Sequence, residues 1–407
     1  MVFLTALGQW VVASKWVLLF YLIVIILIII YRKRFEVEGG FILLYKTKWG
    51  MKFIDKISGK YGEFIKIIGY SAIGIGFVGM ILISVMLLKG MYNLIFVPNA
   101  PATLGLVIPG VKIPGNPVFV PFVYGIIALF IVVVVHEFGH GIVARANGLK
   151  IKSTGIGFMG PIPLAFVEPD EKEVVKKSSI IQQSIFAAGP FFNILLCIVM
   201  LGLIAGTNAI TTGMTVPYGF QFTQIQNNSA AERYGLQENI TYNTVNGMKV
   251  DTQEDLVSAL SDTRPNDTVI IGNDEKNTTI VLSQNPSAPS RGYLGVSGIT
   301  TQYELKSKSE TSKKTFNALL LLSNPFASDL TGYTLFQWIY VLSLGIGLAN
   351  LLPLGPVDGG RMLNKAATDI KGKKKGVKIW IIVSFITLFV MILLVFVPII
   401  KTVLFKA

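Results

Sequence analysis

The sequence predicts a polytopic α-helical membrane protein of about six spans, carrying a short re-entrant β-hairpin and one inserted polar α/β domain. Three observations carry that prediction. Hydrophobic residues make up 52% of the 407 and charged residues only 14%, against about 25% charged in soluble domains. Apolar runs near 11–31, 67–89, 118–143, 183–206, 332–353 and 378–403 are each long enough for a helix to cross a bilayer. Between the fourth and fifth runs, a segment from about 215 to 300 turns rich in Asn, Thr, Ser and Gln, with short strand-like stretches.

Charge orders the spans across the membrane. The first run is long and ends in Arg32-Lys33-Arg34, so it reads as a retained anchor and not as a cleaved signal. The loop that follows holds nine Lys/Arg against four Asp/Glu. By the positive-inside tendency it is cytoplasmic and the amino terminus lies outside. The Pro-rich linker between the second and third runs carries one lysine, Lys112, and falls outside. So does 207–331, despite Lys306, Lys308, Lys313 and Lys314, because long loops translocate largely regardless of charge. The loop between the fifth and sixth runs holds Arg361, Lys365, Lys371, Lys373, Lys374, Lys375 and Lys378 against Asp358 and Asp369, and lands inside. The net charge of +13 is therefore that of membrane loops, and nucleic acid is not an expected partner. The single cysteine, Cys197, excludes an intrachain disulfide and a Cys-rich metal cluster.

The chain has two histidines, and both fall in His136-Glu137-Phe138-Gly139-His140 at the end of the third run. This is H-E-x-x-H, whose i and i+4 imidazoles project from one face of a helix. Both can bind one zinc ion, with Glu137 placed to take a proton from water at the metal. Polar side chains inside a membrane helix are costly and usually functional. The fifth run also heads inward, and ends in Asn350-Leu351-Leu352-Pro353-Leu354-Gly355-Pro356-Val357-Asp358-Gly359-Gly360-Arg361. Pro353, Gly355 and Pro356 break the helix, which brings Asp358 to the depth of the histidines as a candidate third ligand.

Residues 151–171 mix β-formers with Gly and Pro and are too short to span. A re-entrant β-hairpin beside the site fits them. A peptide bond in a membrane helix is shielded until the helix unwinds, and a free strand edge can receive the unwound segment. In Ala188-Gly189-Pro190-Phe191-Phe192-Asn193, the Asn193 amide can stabilise an oxyanion or hold substrate backbone, or it can serve only in helix packing.

His136-Glu137-Phe138-Gly139-His140-Gly141, followed in a later run by Asn350-x-x-Pro353 and Asp358-Gly359-Gly360, resembles the site-2 protease family of intramembrane zinc metalloproteases. The resemblance runs from about 118 to 365. It implies cleavage of membrane-spanning helices, with His136, His140 and Asp358 on zinc, Glu137 as general base and Asn350 holding the substrate strand. It also implies single-pass membrane-protein substrates whose outer part has been trimmed.

The insert has an order of elements to match. Asn228–Leu236 reads as a short helix closed by Gly235, and Thr244-Val245-Asn246-Gly247 as a strand entering a tight turn. Thr252 is the expected cap of a helix over Asp255–Leu260, and Thr268–Gly272 with Thr278–Ser283 form a hairpin about Asn273-Asp274. This order, with S-A-A-E-R-x-G-L and then V-N-G, resembles a PDZ domain, which implies either peptide binding or a steric filter on substrates. Ala230 and Glu238-Asn239 depart from the usual PDZ pattern, so carboxylate capture is not expected. Four N-x-S/T sequons, at Asn227, Asn239, Asn266 and Asn277, all fall in this segment, in keeping with an outside location.

The expected divisions are 1–110 for the anchor spans, 111–206 for the first half of the catalytic core, 213–300 for the PDZ-like domain, 301–331 for a connector holding an interfacial helix, and 332–407 for the second half. A catalytically silent membrane scaffold and a zinc transporter are the competing functions.

Overall fold

The computed structural model describes residues 15–38, 42–98, 100, 102–113, 115–159, 162–273, 275–324 and 332–405. The amino-terminal residues whose side of the membrane was inferred, the start of the first span, the hairpin tip Gly160-Pro161 and the turn residue Asp274 lie outside this set. The chain divides into two compact units, 1–206 with 321–407, and 207–320.

The first unit opens with helix α1 (Lys15–Ile30) and a hairpin of β1 (Glu36–Glu38) and β2 (Ile42–Thr47). Helix α2 (Met51–Phe96) follows, then α3 (Phe122–Ala146), β3 (Ile151–Met159), β4 (Ile162–Pro169), the short α4 (Glu171–Lys176) and α5 (Ser179–Gly213). Among the described residues, four helices are long and apolar enough to cross a membrane: α2, α3, α5 and the last helix, Lys373–Phe405. At about 1.5 Å per residue, the 25 residues of α3 exceed the roughly 30 Å of hydrocarbon. The runs near 11–31 and 332–353 yield shorter apolar helices of 16 residues each, α1 and Leu335–Asn350.

Helix α2 begins well before the second apolar run. Its opening turns alternate charge with core residues: Ile54, Ser58 and Ile65 are buried, while Lys52, Lys56 and Lys60 are exposed. This 3–4 spacing is amphipathic and therefore helical, although its charge content resembles a loop. The regular path is interrupted at Tyr61 (φ −121°, ψ 24°). The 151–169 segment forms an antiparallel hairpin, and β2 pairs with β3 from Ile42↔Met159 to Thr47↔Thr154. The result is a four-stranded sheet in the order β1-β2-β3-β4, with β4 at one edge.

The second unit closes on itself through β5 (Thr215–Ile225) and its last strand (Val296–Leu305), paired antiparallel from Thr215↔Leu305 to Ile225↔Val296. Between them lie α6 (Ala230–Arg233), β6 (Thr244–Val245), β7 (Met248–Lys249) and α7 (Gln253–Leu260). Then come β8 (Thr268–Gly272), β9 (Asn277–Val281), β10 (Ser283–Asn285) and β11 (Ala288–Tyr293), with the closing strand as β12. Local chemistry sets the boundaries. Thr252 and Asp255 cap α7 reciprocally, and Asn246 and Gly247 both take positive φ in the β6–β7 turn. Phe220, Phe222, Tyr242, Leu256, Ile271 and Ile280 fill its core. Helix α8 (Glu310–Leu322) runs out of this unit.

Back in the first unit, α9 (Leu335–Asn350) stops where Pro353 and Pro356 follow, and α10 (Asp358–Lys371) begins directly on Asp358. The lysine-rich stretch expected as a loop is thus helical through Lys371: Met362 and Ala367 are buried, Lys365 is half-buried and Lys371 is exposed. A Cβ on Gly359 would meet the carbonyls of Leu351 and Leu352, and one on Gly360 those of Leu354 and Gly355. The paired glycines therefore let the start of α10 press against the non-helical turn before it. Helix α11 (Lys373–Phe405) leaves Ile381, Phe385, Phe389 and Phe396 exposed, as a lipid-facing helix does. Gly360→Ala should lower stability by about 1–3 kcal/mol. Gly345→Ala, where nothing lies within 4 Å of an added Cβ, should change it by less than about 0.5 kcal/mol. Thermal unfolding of both variants in detergent checks the contrast.

Candidate metal centre

Helix periodicity brings His136 and His140 onto one face of α3, and the turn between α9 and α10 delivers Asp358 to them. His136 Nε2 lies 3.1 Å from Asp358 Oδ2, and His140 Nε2 lies 3.3 Å from the same oxygen. The two imidazole nitrogens are 3.2 Å apart. Four-coordinate zinc, with bonds of about 2.0–2.1 Å, sets its donors about 3.3 Å from one another. Two imidazole nitrogens facing each other this closely repel when both carry lone pairs or both carry protons, and a shared cation removes the conflict. The three residues therefore fit a zinc ion in number, donor type and spacing. His136 and Asp358 are buried, and His140 is nearly so.

Helix α5 supports the centre from the side. The Ile185 carbonyl can only accept, so the 2.7 Å contact with His140 Nδ1 makes that nitrogen the donor and leaves Nε2 free for a metal. A Cβ at Gly189 would collide with Nε2 of both histidines, so only glycine lets α5 approach here. Asn193 is fully buried, with Nδ2 placed 3.2 Å from His136 Nδ1 and Oδ1 lacking a partner. Turned over, the same amide accepts a hydrogen bond from Nδ1–H, which suits a histidine that ligates through Nε2. The side chain thus sits against His136 instead of facing the open cavity. Asn350 lines the cavity and donates from Nδ2 to its own helix at Ile346 O (3.1 Å).

The centre opens into a cavity of roughly 1390 Å³, larger than the about 300–1,000 Å³ usual for small ligands. The β4 edge forms one wall, from Leu164 to Pro169, with Phe186, Val357 and Arg361 among the others. Glu137 faces it too, accepting a hydrogen bond from Val167 N–H at 3.2 Å. Lys46 joins β1 to β4 through Glu36 (2.8 Å) and Glu168 (3.1 Å). Inspection of the sequence missed the Ile185 carbonyl and the Val167 amide, because backbone groups leave no mark in residue type. The role of Gly189 was missed as well, since nothing in the A-G-P stretch ties it to the two histidines.

The family model for peptidase family M50 matches residues 124–394, more than half of the chain. The chain belongs to peptidase family M50. This is the site-2 protease family, and the M50 chain is accordingly a membrane zinc metalloprotease with zinc as its cofactor. It is 27% identical over 367 residues to an uncharacterized protein of Methanocaldococcus jannaschii, a match spanning 86% of each chain. It is 28% identical over 247 residues to the regulator of sigma-W protease RasP of Bacillus subtilis, covering 51% of this chain and 56% of that one. With the zinc metalloprotease RasP of Shouchella clausii it shares 27% over 218 residues, 46% of this chain and 50% of the other. For this M50 protease, Gly189→Ala should weaken zinc binding about 10–100-fold by pushing both imidazoles off their axes. Titration against a competing chelator measures the loss.

Proposed function

We propose that this protease hydrolyses peptide bonds within transmembrane segments of membrane-protein substrates, with zinc held by His136, His140 and Asp358. The observation that carries the proposal is the convergence of the three donors on α3 and α10 in one cavity that also holds Glu137 and a strand edge. When bound there, zinc supplies Lewis acidity that makes water nucleophilic near neutral pH and polarises the scissile carbonyl. Glu137 takes the proton of the attacking water on a carboxylate oxygen and passes it to the leaving nitrogen. His140 is held by Ile185 O and His136 by Asn193, so both rings are aimed before substrate arrives. On this basis Asn193 is a positioning residue, and Asn350, on the cavity wall, is the candidate to hold substrate backbone.

The unwound substrate segment lies along β4, adding a strand to the four-stranded sheet. The hairpin is re-entrant, and α1 and α9 complete six spans as its two short members. The positive-inside pattern puts the metal centre toward the cytoplasm of a cell membrane and the 207–320 unit outside. That unit is PDZ-like and filters substrates by the size of their outer part, favouring single-pass proteins already trimmed there; a peptide ligand is the second use its strands support. Glu137→Gln should lower cleavage of a single-pass substrate in proteoliposomes by about 10²–10⁴-fold while zinc content stays at the wild-type level. Unchanged cleavage would favour a silent scaffold. Zinc flux across the liposome would favour a transporter.

A further inference from the structure

The inference concerns what Glu137 does before substrate arrives, and it rests on the strand addition proposed above. In an antiparallel sheet, alternate residues turn both N–H and C=O to the same side. Asp170, just past β4, donates its N–H to Lys150 O on the β3 side at 3.0 Å. Even-numbered residues of β4 therefore face β3, and odd-numbered ones face outward along the open edge. Val167 follows this parity, because its N–H leaves the sheet to reach Glu137 Oε2 at 3.2 Å. The other outward positions are Pro163, Ala165 and Pro169. Two of these are prolines and have no N–H to give. Along the whole of β4, the outward donors are thus Ala165 and Val167, and one of the two is already bonded to Glu137.

We propose that the Val167 N–H is shared in turn by Glu137 and the incoming strand, so that strand addition releases Glu137 for catalysis. A strand docking on β4 needs both outward donors for its own carbonyls. The single hydrogen on Val167 N cannot serve the substrate and Glu137 at full strength together. While the bond to Val167 stands, one Glu137 oxygen is occupied and is not open to an attacking water. Seating a strand removes that bond, and the base becomes free only when a peptide lies extended beside it. The two prolines sharpen the effect: they confine strand docking to the stretch where the exchange occurs. An idle site therefore keeps its base engaged, and segments that stay helical do not free it.

The test measures binding, not turnover. The probe is a fluorescein-labelled hexapeptide of alternating Val and Ala whose central amide is replaced by a non-hydrolysable ethylene link. It is titrated against the zinc-loaded full chain in detergent, as wild type, Glu137→Ala and Glu137→Gln. Removing the competitor in Glu137→Ala should tighten binding about tenfold, the weight of one hydrogen bond to a charged group. Glu137→Gln keeps an acceptor oxygen in place without the charge, and should stay within about threefold of wild type. Ala165→Pro, which removes the other outward donor at a position where an edge strand tolerates proline, should weaken binding in every background. Equal or weaker binding in Glu137→Ala than in wild type overturns the shared donor while leaving strand addition standing. Equal tightening in Glu137→Ala and Glu137→Gln overturns it as well, since charge alone would then explain the gain. If no variant binds the probe, strand addition itself fails and takes this inference with it.

Discussion

The first unit is organised around one electrostatic constraint: a carboxylate and two imidazoles, from helices far apart in sequence, meet at hydrogen-bond distance in a buried place. Left alone, such a group is expensive, because burial penalises the charge on Asp358 and sets two nitrogens against each other. A bound divalent cation turns the same geometry into a favourable one. Much of the surrounding architecture serves that meeting. Gly189 lets α5 come close enough to support both rings, and Gly359 and Gly360 fold the head of α10 back onto the turn that delivers Asp358. Pro353 and Pro356 end α9 in time for a helix to start on Asp358.

The membrane setting explains why the reactive groups share one polar cavity. Helix faces turned outward carry Ile, Leu and Phe, as on α11, whereas Glu36, Lys46, Glu168, Arg361 and Lys365 line the cavity. Irregular backbone at membrane depth is tolerated only where protein or a water-filled cavity satisfies it. Pro356 and Val357 at the end of the turn, and Leu164 to Pro169 of β4, border that cavity.

How legible each part was in the sequence follows from the range of its interactions. H-E-x-x-H was legible because its geometry is local: four residues along a helix fix the two imidazoles without help. Asp358 was legible because a helix-breaking Pro-x-Gly-Pro and a Gly-Gly pair frame it. The four long helices and the elements of the second unit were legible from apolar length, caps and turn residues. The β2–β3 pairing was not, since its partners lie more than a hundred residues apart and neither strand announces the other. The opening of α2 and all of α10 were hidden by their lysines, which resemble a cytoplasmic loop until the four-residue spacing of Ile54 and Ser58, and of Asp358 and Met362, is weighed. The Asn193 contact with His136 depends on packing between helices, which no local pattern encodes.

The most direct measurement is zinc K-edge absorption on the detergent-purified protein, beside Asp358→Ala and His136→Ala. A two-helix metal centre predicts about one zinc per chain, bound by two imidazoles and carboxylate or water oxygen at about 2.0–2.2 Å. It also predicts that either substitution removes the ion or sharply weakens its binding. Zinc kept in Asp358→Ala with an unchanged coordination shell would contradict it, and so would wild-type protein that holds no zinc.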